Sequence, residues 1–229
     1  FTKKIKDNDL YIRLLSANDE VISGVIYGGN STKKKLIYQK GYFINYSHEK
    51  KHPNSPLIFT GEIIQPFIGN IFNDKYKLNA ILSILGLINL SIVEGQKIKG
   101  IYTDVLNLIE NIIYKNHWII FYCEWLFILL QKIGYQIDYK KNYTKKYYDI
   151  LMQDFSNQLN KNSIVFPHKL FYQNKHINYD NISSVFLIFE NIFLKNHLDN
   201  FNYKMPISFI NFKQTILNRL KNNNDTNIK

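Results

Sequence analysis

Hydrophobic positions along this chain change their period once, close to Pro66. Before that point, short runs of β-branched and aromatic residues alternate with polar breaks. Leu10–Leu15 and residues 21–27 flank a turn-forming stretch at 16–20, a short extended run follows at 36–38, and 41–46 and Leu57–Gln65 complete the series. Runs of this length bounded by Gly, Asn, Ser and Pro predict strands, the first two joined as a hairpin. Four or five of them in about 65 residues predict a small closed barrel.

After Pro66 the spacing becomes helical. Leu78, Ile81, Leu82, Leu85 and Ile88 or Asn89 lie on one stripe with a stop predicted at Gly95, and Ile101, Val105, Leu108, Ile109 and Ile112 form a second stripe that starts near Thr103 and Asp104 or slightly before. The third helix spans 117–135 and is apolar nearly all round, interrupted between Trp118 and Leu130 only by Cys123 and Glu124. Such a helix must be buried on several sides, so it reads as the hub of a helical domain. It falls short of the roughly 20 apolar residues of a membrane span. Gly134 supplies its stop.

Further on, 140–146 is a polar basic connector, and 147–152 either pairs with 163–166 as a hairpin or forms a short helix. A helix is predicted over 179–197, with Val185, Phe186, Phe189, Ile192 and Phe193 on one side, and a last one from Pro206 to about Leu220. The expected organisation is α+β: a small barrel over 1–66, a mainly helical domain over 67–220 with a hairpin or irregular insertion near 143–166, and a disordered tail over 221–229. Because the chain opens at Phe1 and not at Met, a shortened first strand is expected.

Charge changes this picture. The net charge is +11, and of the 29 basic residues all but Arg13 and Arg219 are lysines. Residues 1–60 carry +5, 61–160 only +1, and 161–229 again +5, so the basic excess sits at the two ends. It favours polyanionic partners. The abundance of Lys, Asn, Ile, Tyr and Phe also fits A/T-rich coding, although acids, which share A-containing codons, did not keep pace. Lys33, Lys34 and Lys35 form a basic loop with Tyr27, Tyr38 and Tyr42 nearby, a pattern that suits phosphates and stacked bases and equally suits a solvated loop.

Catalytic patterns are missing. There is no GxSxG, Walker loop, HExxH or cysteine pair, so no enzyme, metal or cofactor is expected. His48 and His52 stand four residues apart in a proline-bearing loop with Glu49 as the one neighbouring carboxylate, a poor ligand set. The single cysteine, Cys123, reads as a buried small hydrophobe, and with no signal peptide apparent a cytoplasmic location is expected.

Three stretches together carry a resemblance. They are VIYGGNSTKKKLIYQKG in the first part; YCEWLFILLQKIGYQID, with Trp125, Leu129, Leu130, Ile133, Gly134, Tyr135 and Asp138; and FLKNH followed by Pro206. In order and spacing they resemble the RecO family of bacterial recombination mediators, from about Leu10 to Leu220. The resemblance implies an OB barrel followed by a helical domain, binding of single- and double-stranded DNA and strand annealing. It also implies loading of RecA, together with RecR, onto DNA coated by single-stranded DNA-binding protein, whose acidic, apolar C-terminal tail would dock on the helical domain. Nucleoid association and no membrane partner follow. Arg13, Lys33, Lys34, Lys35, Lys40, Lys50 and Lys51 are the expected phosphate contacts. A generic OB-type single-stranded DNA or RNA binder and a helical interaction scaffold are the alternative readings. The chain departs from the family pattern at Glu124, where a basic residue is frequent, at Leu126, where an acid is usual, and at Asn30, where a cation is frequent. It also lacks the cysteine cluster that holds zinc in some relatives, so no metal is implied.

Overall fold

The computed structural model describes residues 1–6, 8–65, 67–173, 177–199 and 202–222. Pro66, at the expected domain junction, and residues 223–229 of the expected tail lie outside them. The fold is α+β, with a five-stranded sheet first and helices after it. Contacts divide the chain into two units, Phe1–Leu106 and Asn107–Lys229.

The first unit holds β1 (Thr2–Lys4), β2 (Leu10–Leu15), β3 (Val21–Ile26), β4 (Phe43–Glu49) and β5 (Leu57–Gln65) in the order β1-β2-β3-β5-β4. The predicted hairpin forms in full register, from Leu10 opposite Ile26 to Leu15 opposite Val21. Alternation puts Leu10 and Ile12 on the inner face, where they meet Ile26, Tyr38 and Phe59. Strand β3 then pairs in parallel with β5, Gly24 opposite Leu57 and Val25 opposite Ile58.

The predicted closed barrel is corrected: the sheet is open, with β1 and β4 as its edges among the described residues. The run at 36–38, expected to be extended, is part of a turn whose first half is a short 3-10 helix, Lys34–Leu36. Tyr38 leaves this turn pointing inward and is buried. Its hydroxyl accepts from the Gly61 amide at 3.0 Å and donates to the Gly61 carbonyl at 3.3 Å. One side chain thus satisfies backbone groups of β5 that a further strand would otherwise pair.

Helix α1 (Lys75–Ser91) belongs to the same unit and packs against the 3-10 turn Phe67–Ile71. Asp74 caps it, its carboxylate accepting from the Tyr76 and Lys77 amides at 3.0 and 3.1 Å. The helix ends at Ser91, earlier than the predicted stop; Gly95, with φ +76°, shapes the turn beyond. Helix α2 (Ile101–Tyr114) starts two residues before Thr103. Its first amides are satisfied by Asp19 of the β2–β3 turn, which accepts from Gly100 at 2.7 Å and Tyr102 at 3.0 Å.

The second unit is built on α3 (Trp118–Lys132), the hub. Gly134 ends it as predicted, at φ +98°. The Tyr135 amide donates to the Leu130 carbonyl at 2.8 Å and the Gly134 amide to Gln131 at 3.1 Å, the two bonds of a Schellman closure. Around α3 stand α4 (His168–Gln173), α5 (Tyr179–Ile192) and α6 (Ile207–Asn222). Tyr122 of α3, Phe186 of α5 and Phe212 of α6 form an aromatic core, with Tyr122 and Phe212 centroids 4.5 Å apart.

Residues 147–152 resolve in favour of a strand. β6 (Tyr147–Asp149) lies between β8 (Ser163–Val165) and an additional strand, β7 (Asp154–Ser156). Asp149 ties the hairpin together by accepting from the Leu151 and Met152 amides and from Asn160, bonds that hold its carboxyl below the usual aspartate range. Among the described residues no helix is long and apolar enough to cross a membrane.

Candidate nucleic-acid interface

The end of the sheet beyond β3 is where three loops meet. Gly28 and Asn30 break β3, Gly28 at φ +64°. The Gly28 amide donates to the Asp9 carboxylate at 2.8 Å and the Asn30 amide to the Asn8 carbonyl at 2.6 Å, tying the β1–β2 loop to the break. The chain then turns through Ser31 and Lys35, whose amide donates to the Ser31 carbonyl at 2.8 Å. This turn presents Lys33, Lys34 and Lys35, all exposed.

Tyr27 joins this turn to the β4–β5 loop. Its backbone carbonyl accepts from Lys34 Nζ at 3.0 Å, and Lys51 Nζ from the other loop stands 5.6 Å from its ring centroid. Tyr27 is 50% exposed, so a large aromatic surface is held at the surface between two cations. Lys50 is exposed on the same β4–β5 loop. Lys40 is also exposed, but at the opposite end of the 33–40 segment, where its charge acts on the Phe1 amino group. Tyr38 is buried, as described above, and offers no stacking face; Tyr42 is half-buried. Lys6, which the sequence reading did not single out, is exposed on the β1–β2 loop. Its signal in the sequence is no stronger than that of any other lysine.

Arg13 is placed differently. Its guanidinium reaches the end of α1, donating from Nη1 to the Asn89 carbonyl at 3.1 Å and side-chain oxygen at 2.9 Å, and from Nη2 to the Ile92 carbonyl at 3.1 Å. A cation there satisfies the last carbonyls and the negative end of the helix dipole. Arg13→Gln is therefore expected to cost about 2 kcal/mol of stability in urea denaturation. The same variant should leave the salt dependence of DNA affinity unchanged; a shallower slope would show that Arg13 also meets phosphate.

The other two stretches of the resemblance meet in the second unit. Phe193–Leu198 continues α5 as a wider π-helical turn, and the Tyr135 hydroxyl donates to the Asn196 carbonyl at 2.6 Å. The Tyr135 and His197 rings lie edge to face at 6.1 Å. A π turn leaves carbonyls without their ordinary helical partner; Tyr135 supplies one. Cys123 is fully buried, and burial pushes its thiol well above the usual range. It offers no accessible nucleophile. Among the described residues no three potential metal-ligating side chains converge.

No family model matches the chain. It is 30% identical over 139 residues to the DNA repair protein RecO of Rickettsia akari (strain Hartford), a match covering 61% of this chain and 58% of that protein. RecO of Rickettsia typhi (strain ATCC VR-144 / Wilmington) matches at 30% with the same coverage, and RecO of Rickettsia bellii (strain OSU 85-389) at 27%, covering 61% and 57%. The chain thus spans less than two thirds of the length of these relatives. Over 61% of its length the chain is thus similar to proteins named DNA repair protein RecO, in agreement with the resemblance carried by the three stretches whose setting is described above.

Proposed function

We propose that the chain acts in DNA repair as a non-enzymatic, DNA-binding recombination mediator. It anneals complementary strands and, with RecR, helps load RecA onto DNA coated by single-stranded DNA-binding protein. The observation that carries this reading is the meeting of Tyr27, Lys34 and Lys51 at one end of the sheet. Lysine ammonium groups neutralise phosphates and release counterions, and an exposed ring between them gives a base a stacking face. Annealing then needs no covalent step. Screening two backbones lowers their repulsion, and base pairing does the rest.

The strand order β1-β2-β3-β5-β4, with β3 and β5 parallel, supports an OB-type reading of the open sheet. In that fold the β1–β2 and β4–β5 loops flank the nucleic-acid face. Lys6 and Lys50 with Lys51 occupy those loops here. Arg13 is left out of the phosphate set, which becomes Lys33, Lys34, Lys35, Lys50 and Lys51, with Lys40 at its margin.

The test is a salt titration of affinity for a single-stranded oligonucleotide. Replacing Lys33, Lys34 and Lys35 together by Ala is expected to make the slope of log K against log salt shallower by about 2, at about 0.7 for each phosphate no longer neutralised. An unchanged slope overturns the loop assignment. Tyr27→Ala should weaken binding about ten-fold with little change in slope, because stacking carries no counterion release. Annealing of complementary oligonucleotides coated with single-stranded DNA-binding protein distinguishes a mediator, which succeeds, from a generic single-strand binder, which does not.

A further inference from the structure

Helix α3 is buried on nearly every side, and before its last residue, Lys132, its less buried positions fall on one stripe: Phe121, Glu124, Ile128 and Gln131, spaced by three or four residues. The chain that follows the Gly134 stop folds back beside this stripe. Together with α4 it encloses a cleft of about 380 Å³ in the second unit. Its lining mixes rings with polar side chains: the Phe127, Tyr139 and Phe171 rings pack on one another with centroids 5.0 to 5.8 Å apart, Gln131 and Gln136 add amides, and Tyr172 is 52% exposed.

Glu124 brings a carboxylate into this lining and makes no ion pair among the described residues. The other acid, Asp138, is already held by Lys141 at 2.8 Å. Lys140, also in the lining, is exposed and makes no ion pair among the described residues; its charge pulls the Glu124 carboxyl down while burial pushes it up more strongly. Burial and the Glu124 charge push the Tyr139 phenol up to about 12, so it stays a neutral hydrogen-bonding group.

An unpaired carboxylate among ring faces is complementary to a cation with a flat, weakly hydrated head. We propose that this cleft is a docking site for an arginine side chain of a partner polypeptide, with the guanidinium against Glu124 and on the exposed ring of Tyr172. Lys140 gates it by competing for the same carboxylate. An acidic peptide meets repulsion from Glu124 here.

The test is a two-dimensional amide NMR titration of the whole chain with blocked arginine (N-acetyl-arginine methylamide), alongside a blocked acidic peptide containing aspartate and phenylalanine. Saturable shifts confined to residues 124–140 and 168–172, with a millimolar dissociation constant for arginine, are expected. Glu124→Gln should weaken this binding about ten-fold, and Lys140→Ala should strengthen it about two-fold. If Glu124→Gln does not fold by circular dichroism, Lys140→Ala and Tyr172→Ala decide the matter, the latter with an expected loss. No saturable shifts with arginine, or saturation by the acidic peptide at these residues with strengthening in Glu124→Gln, overturns the proposal.

Discussion

Phe212→Ala is expected to cost the helical unit about 4 kcal/mol of stability. Phe212 on α6 is fully buried, and its ring lies 4.5 Å from Tyr122, 6.0 Å from Phe186 and 6.1 Å from Trp118. Two terms add: the lost transfer of a phenyl ring from water, and the cavity left where it stood. The second is large here because the neighbours are themselves planar, buried rings on α3 and α5, which cannot flex into the gap as an aliphatic side chain would. Phe212→Leu should therefore recover about half of the loss. Tryptophan fluorescence is the right probe, since Trp118 and Trp125 both lie in this unit. A fall in the urea midpoint with an unchanged m value is expected; a loss below about 1 kcal/mol would mean that the core repacks and that α6 is not a fixed part of it.

Gly24→Ala should destabilise the sheet by about 3 kcal/mol. The backbone at Gly24 needs no left-handed conformation; the constraint is space. A Cβ there would collide with the Leu57 carbonyl oxygen and come within 2.5 Å of the edge of the Phe59 ring. The ring could turn, but the carbonyl belongs to the strand with which β3 makes its parallel pairing. Relief therefore requires β3 and β5 to separate where only two residue pairs hold them. Hydrogen exchange should quicken first at the β3 and β5 amides. Protection there equal to that of the unaltered chain would show that the two strands have slack. Gly61, whose Cβ would meet the Asn45 carbonyl at 3.1 Å, is tight to a lesser degree, and Gly61→Ala should cost correspondingly less.

Several elements were legible in the sequence. The hairpin of β2 and β3, strand β5, and the hub helix with its Gly134 stop follow from local period and punctuation, because each is specified by neighbours within a few residues. The Asp74 cap was equally local, an acid placed immediately before a helical stripe, and could have been read. The basic turn was visible as composition, and Tyr27 as a neighbouring ring. That Lys51, 24 residues further on, comes over the same ring was not visible, since nothing in the intervening sequence measures how two loops approach.

One misreading and one unforeseen partner have the same cause. The run at 36–38 looked extended, and Arg13 looked like a phosphate contact, because each was judged by its own type and immediate neighbours. In the fold, Tyr38 is drawn inward to serve the backbone of Gly61, and Arg13 serves carbonyls of α1 some 76 and 79 residues away. A backbone polar group left without water must find a partner, and the partner's position in the chain is free to vary.

By itself, then, the sequence determined the α+β class, the change from strand to helical period near Pro66, the basic ends, and the stretches that carry the resemblance. Those features depend on side-chain period and charge, which are local quantities. Only the tertiary structure decided that the sheet stays open, that Arg13 caps a helix, that Asp19 starts another, and that Tyr27 gathers two loops. It also turned Glu124, a lone acid in an apolar helix, into the charged side of a cleft. Each of these is a pairing between distant segments, set by which groups lose water together when the chain closes on itself.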